Sequence, residues 1–219
     1  MAYRHRYLEG DPLDLPVGKV VCIGRNYLDH IRELGNIVPE TPILFMKPAT
    51  ALIGLDEPIR LPTGRGECHH EVELAVLVGR TLRAADTTTA RSAVAGYGVA
   101  LDLTLRDLQN ELKKKGHPWE IAKAFDGSCP LSPFVEPATL ADPQATDLTL
   151  WVNGEPRQQG NTRLMMIGIF ELMAHISTHF TLRPGDVVLT GTPAGVGPLR
   201  SGDRLILGLA DHEFAARVA

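Results

Sequence analysis

The stretch His69-His-Glu-Val-Glu-Leu-Ala-Val-Leu-Val78 reads as one buried strand with charge at its start. Side chains alternate across a strand, so Val72, Leu74, Val76 and Val78 share one face, and Glu71 and Glu73 the other. The Cα atoms of the two glutamates then lie roughly 6–7 Å apart, near enough for both carboxylates to lean toward one centre. Like charges at that spacing repel, and a cation between them removes the repulsion. A third acid, Asp102, interrupts the apolar run GVALDL at 98–103, where an unpartnered carboxylate would be costly. Three carboxylates around one ion, with water and substrate oxygens completing the shell, suit Mg²⁺ or Mn²⁺. The alternative is three solvated strand residues with no ion, and spacing alone does not choose between the two. A mixed zinc site with His69 and His70 is a third reading. Against it, HHEVE is not HExxH, and adjacent strand residues point to opposite faces.

Outward from this strand the chain is rich in similar short runs: KVVCIG at 19–24, TPILFMKP at 41–48, LTLWVNG at 148–154, DVVLTG at 186–191 and RLILGL at 204–209. Most are bounded by Gly, Pro or Asp and many are β-branched, as strands prefer. Asn153-Gly154 predicts a hairpin turn, and Arg183-Pro-Gly-Asp186 predicts another turn. Helical spacing is confined to 26–34, to 104–115 and to 165–178. In 104–115, Thr104 and Asp107 have capping-box spacing and lysines precede Gly116. Strands do not alternate regularly with helices, so a doubly wound sheet is not expected. The fold class predicted is mixed α+β, predominantly β, with a few helices.

The 219 residues suit one domain with a short lead-in at 1–16 and a single body at 17–219. A formal charge of −4 offers no general attraction for nucleic acid or anionic lipid. Cys22, Cys68 and Cys129 form no CxxC pair, which argues against a disulfide framework and for a reducing, cytoplasmic setting. MAYRHRYLEGDPLDLP does not read as a signal peptide, and no apolar run is long enough to span a membrane.

Other residues carry chemistry more weakly. Lys123 stands in the apolar stretch WEIAKAF; it is either a stem lying on the core or a cation beside the acids. Arg106, Gln109 and Lys113 share helical spacing just after Asp102. His30 and Glu33 share a helix face, as a base and its orienting acid would, or as an ordinary surface pair does. The loop Thr190-Gly-Thr-Pro-Ala-Gly-Val-Gly197 lacks the Lys of a P-loop. It reads as a plain turn or as a loop offering hydroxyl and N–H groups to a carboxylate.

Taken together, IGRNYLDHIRE (23–33), LFMKP (44–48), HHEVELAVLVG (69–79), the long segment at 101–130, VNGEPRQ (152–158) and LTGTPAGVGPL (189–199) resemble the fumarylacetoacetate hydrolase family, specifically its small acylpyruvase-like members. The resemblance runs in order over roughly residues 17–210. It implies a β-sandwich or β-roll core, usually homodimeric, with Glu71, Glu73 and Asp102 binding Mg²⁺ or Mn²⁺. It further implies that Lys123, Arg106, Gln109 and Thr192 surround a small 2-oxo acid. Arg25 and Lys47 lie in matching motifs, and His30 with Glu33 would activate water from a lid-like helix. The activity implied is cleavage of a C–C bond in acylpyruvate-type 2,4-dioxo acids through a metal-bound pyruvate enolate, with Lys123 stabilising or protonating it. The alternatives on the same site are oxaloacetate decarboxylation or tautomerisation and hydroxymuconate-type isomerisation. The separate N-terminal domain of the large fumarylacetoacetases is missing, which argues against fumarylacetoacetate itself as substrate.

Overall fold

The computed structural model describes residues 3–219. In chain order its strands are β1 (Val20–Gly24), β2 (Ile43–Lys47), β3 (Leu52–Gly54), β4 (Cys68–His70), β5 (Val72–Val78), β6 (Val94–Leu101), β7 (Thr104–Leu105), β8 (Cys129–Leu131), β9 (Asp147–Val152), β10 (Glu155–Asn161), β11 (Val187–Leu189), β12 (Gly197–Pro198), β13 (Arg204–Leu209) and β14 (His212–Arg217). The helices are α1 (Leu28–Glu33), α2 (Thr87–Ser92), α3 (Arg106–Lys115), α4 (Glu120–Lys123) and α5 (Ile169–His179). The mostly β, mixed class read from the sequence is the one observed.

Seven strands form a curled mixed sheet in the order β2-β1-β11-β5-β6-β8-β3. Only β1 with β11 and β3 with β8 run parallel. A second, four-stranded antiparallel sheet, β10-β9-β13-β14, covers one face. Between the two lies a core of Val72, Leu74, Val76 and Val78 from β5 with Leu148, Leu150, Leu205 and Leu207. The opposite, inner face of the curl carries Cys22, Ala75, Leu77, Ala100, Cys129 and Leu189. Small side chains there let the sheet wrap tightly, and Tyr3, Tyr7, Leu13 and Leu15 of the lead-in pack against that core. All three cysteines are buried free thiols.

The alternation of β5 places the site. Glu73 has the parity of Ala75 and Leu77, so the acids lie on the inner face where the roll opens. Asp102 follows the last residue of β6 and its N–H donates to Glu71 O across the ladder at 2.8 Å. The third acid is thereby set opposite the first.

Two local expectations are corrected. Thr104 does not cap α3: Thr104 and Leu105 pair with β4 as strand residues. The helix starts at Arg106 without a side-chain cap. The Thr104 hydroxyl donates instead to Asp102 O at 3.0 Å, and Asp107 accepts from Glu67 N at 3.2 Å. Likewise α5 begins at Ile169, not 165, because Met166 N donates to Asn26 O at 2.8 Å and holds that segment outside the helix. The hairpin at Asn153-Gly154 forms as read, with φ of 55° and 82°. Gly116 ends α3 in the left-handed region at φ 65°.

Candidate active site

Glu71, Glu73 and Asp102 are buried, and each offers an oxygen within 4.8 Å of those of the other two. Solvated acids are thus excluded; the group is an enclosed triad. The Lys123 ammonium bridges two of them, 2.9 Å from Glu71 Oε2 and 2.5 Å from Asp102 Oδ2. Arg106 pairs with the other Glu71 oxygen and donates to Gln109 Oε1 at 2.7 Å. Glu73 accepts from Gly191 N at 2.6 Å. So the loop after β11 does offer an N–H to a carboxylate, and that carboxylate is the protein's own.

Burial alone would raise the Glu71 carboxyl, but the Lys123 and Arg106 cations outweigh it and hold Glu71 well below the usual carboxylate range. Glu73 goes the other way: burial, then the charges of Asp102 and Glu71, push it well above that range. Burial would likewise lower Lys123, yet Asp102 and Glu71 raise it. The ammonium therefore stays charged.

Helix α1 closes over this triad. Its His30 lines the cavity, with Nδ1 3.2 Å from Glu33 Oε2. A carboxylate only accepts, so Nδ1 carries the proton and Nε2 keeps a lone pair. Burial lowers the His30 pKa and favours the neutral ring. The other Glu33 oxygen accepts from Gly195 N at 2.9 Å, tying the end of α1 to the Gly-rich loop. The space left between lid and acids is about 30 Å³, room for a few waters at most.

The other sequence-predicted residues divide. Arg25, Arg106, Gln109 and Thr192 line the cavity. Lys47 does not. It is fully buried behind the acids, where it lies 2.8 Å from Asp102 Oδ1 and donates to the carbonyls of Lys123, Leu103 and Ser128. In this structure its ammonium supports Asp102 and does not line the cavity. His69 and His70 stay outside the triad, bonded to Glu67 and to Gln158.

Gln158 and Asn26 were not singled out by the sequence. Gln158 accepts from His70 Nδ1 and Val72 N and donates to Thr192 Oγ1 and Pro193 O, at 2.9, 3.0, 2.8 and 2.9 Å. A register shift between Pro156 and Gln158 turns that side chain inward, which simple alternation does not predict. Asn26 joins the start of α1 to Ile167 and Thr190 through three side-chain hydrogen bonds.

Residues 19–216 match the family model described as fumarylacetoacetate (FAA) hydrolase, C-terminal. The chain belongs to the fumarylacetoacetate hydrolase family. Within this family it is 58% identical over 217 residues, 99% of both chains, to the Escherichia coli (strain K12) oxaloacetate tautomerase YcgM. A Yersinia pestis CO92 family protein superposes with a TM-score of 0.98 at 53% identity, over 99% of this chain and 100% of that one. The fumarylpyruvate hydrolase of Pseudomonas aeruginosa, solved in complex with Mn²⁺ and pyruvate, superposes at 0.92 with 35% identity, over 100% and 96%.

The triad fits a divalent metal on its own chemistry. Its donors are hard oxygens, as Mg²⁺ and Mn²⁺ prefer. Asp102 Oδ1 is buried and meets only the Lys47 ammonium, at 2.8 Å. Glu73 is pushed toward protonation by burial and then by the charges of Asp102 and Glu71, a repulsion that a cation would offset.

Proposed function

We propose that this chain is a Mg²⁺- or Mn²⁺-dependent oxaloacetate tautomerase, interconverting the keto and enol forms of a small 2-oxo acid. The observation that carries the reading is the buried triad with a neutral base and a charged ammonium beside it. Tautomerisation moves one proton from C3 to the 2-oxo oxygen, and needs a base and an acid at the two positions. Similarity to the E. coli oxaloacetate tautomerase over 99% of both chains supports this choice over acylpyruvate hydrolysis.

Glu71, Glu73 and Asp102 would hold the ion, which when bound would polarise the 2-oxo group and acidify the C3 protons. His30 Nε2 takes the C3 proton, with Glu33 orienting the ring and stabilising its charged form. Lys123 faces the developing negative oxygen and donates to it. Arg106 and Gln109 hold the C1 carboxylate. A cavity of about 30 Å³ is too small for a four-carbon acid, so α1 opens for entry and closes for chemistry.

Hydrolysis of an acylpyruvate is the second reading. It is favoured by the same His30–Glu33 pair, which would then take its proton from water, and by the likeness to the fumarylpyruvate hydrolase. One assay separates the two: enol oxaloacetate and acetylpyruvate are each followed by ultraviolet absorbance with Mg²⁺ or Mn²⁺. Faster ketonisation of oxaloacetate with no loss of acetylpyruvate supports the tautomerase. Consumption of acetylpyruvate with no effect on the enol would replace it by the hydrolase.

A further inference from the structure

The cavity wall is not balanced in charge. Four cations line it, Arg25, Arg106, Lys113 and Lys123, against three carboxylates. Lys123 and Arg106 are paired with those carboxylates. The other two are not. Among the described residues Lys113 forms no ion pair and no side-chain hydrogen bond, and Arg25 donates only to neutral acceptors, Ile37 O and Asn36 Oδ1, each at 3.2 Å. Burial and then the nearby Arg106 and Arg25 charges lower the Lys113 pKa, as crowding of like charges does. Arg25 is moreover held at φ 64°, a conformation that non-glycine residues adopt at a cost and that recurs where a side chain is aimed for function.

The position of Lys113 is informative. It shares a face of α3 with Arg106 and Gln109, seven residues beyond Arg106, or about 10 Å along the helix axis. Helical side chains lean toward the N-terminus, which brings a lysine stem back toward the triad. A cation there meets the far end of a ligand whose near end lies at the acids. A divalent ion would add two further positive charges, so the loaded cavity has a strong excess. A ligand with one carboxylate neutralises little of it, and a ligand with two neutralises more.

We infer that Lys113, assisted by Arg25, is a specificity-determining residue that binds the second carboxylate of a dianionic substrate and so selects 2-oxo dioates over monocarboxylates. This rests on the reading that the triad binds a 2-oxo acid through a divalent ion. Its test uses two unreactive ligands that differ in one distal carboxylate, malate and lactate, titrated calorimetrically into the full chain with saturating Mg²⁺. The wild type is expected to bind malate at least tenfold more tightly. Lys113→Met should weaken malate about tenfold, or ~1.4 kcal/mol, and leave lactate unchanged, whereas Lys113→Arg should retain the preference. Equal affinities in the wild type, no malate binding, or parallel weakening of both ligands in Lys113→Met would overturn the inference. The titration needs no turnover, so a negative tautomerase assay and a negative result here remain distinguishable.

Discussion

Replacing Glu73 by Gln separates the metal-free site from the metal-bound one by the sign of its effect. Glu73 is buried, accepts from Gly191 N, and is held above its ordinary value of 4.5 by burial and by the charges of Asp102 and Glu71. A group raised in this way contributes stability that is complete below its unfolded value and is lost as pH rises through its folded value. Without metal, the wild type should therefore lose about 1.4 kcal/mol per pH unit above 4.5, for as long as Glu73 stays protonated in the fold. Glu73→Gln keeps the shape and an acceptor for Gly191, and has no such loss. Other groups slope differently but are common to both proteins. Burial lowers His5, His30 and His70, so their contribution is lost as pH falls below 6.5, and that of Glu71 is lost as pH falls below 4.5. The quantity to read is the difference between the two proteins, from urea unfolding in EDTA followed by circular dichroism at half-unit steps between pH 5 and 8. The variant should gain on the wild type as pH rises. With Mg²⁺ at 100 times its dissociation constant the wild type gains about 2.7 kcal/mol, and the variant should lose most of that. A difference that stays flat with pH in EDTA would refute the claim that Glu73 is held neutral by burial and by its neighbours.

Asp102→Asn should abolish calorimetric Mg²⁺ binding and activity together; normal affinity in the variant would remove Asp102 from the ligand set. Lys123→Met leaves Glu71 and Asp102 facing each other without their shared ammonium. It should cost the metal-free protein about 3 kcal/mol, and Mg²⁺ should raise its melting temperature by more than it raises that of the wild type. For His30, whose pKa is lowered by burial, tautomerase kcat/KM should fall with decreasing pH below 6.5 as the ring is protonated. His30→Ala should be slower by about 10²–10⁴-fold and lack that acidic limb; an unchanged pH profile would assign the limb to another group.

The acids were legible because strand alternation is rigid: fixing Val72 and Leu74 in the core fixes Glu71 and Glu73 on the other face. The site beyond them was less so. Lys47 and Lys123 both stand in apolar runs, and nothing local says that one ammonium faces the cavity while the other is enclosed by the Lys123 and Ser128 carbonyls. That distinction is made by β2 lying across the roll from β6, a contact between residues 55 positions apart in the chain (Lys47 and Asp102). Gln158 was invisible for a related reason, since a bulge reverses its face. The short strands β3, β7, β8 and β12 also escaped reading, because two or three paired residues carry no periodicity of their own.

The curled sheet accounts for why so much charge is tolerated in so small a volume. Its inner face is lined by alanine, cysteine, valine, leucine and phenylalanine, whose side chains offer a buried charge little compensation. The acids therefore lie where the apolar lining ends, and their partners must come from the protein. Lys47 reaches Asp102 from β2, Lys123 reaches Asp102 and Glu71 from α4, Arg106 reaches Glu71 from α3, and Gly191 reaches Glu73 from the loop after β11. Charges clamped in this way cannot reorganise freely, and low reorganisation is what lets an electrostatic site act on a developing oxyanion. Helix α1 is held over the triad at its start by Asn26 and at its end by the Glu33 contact with Gly195. Because the same Glu33 carboxylate also holds His30 Nδ1, an opening of α1 that broke the Gly195 contact would also free the group that orients the base. In the proposed reaction base and enclosure would thus be assembled together, and the proton would move only with solvent excluded.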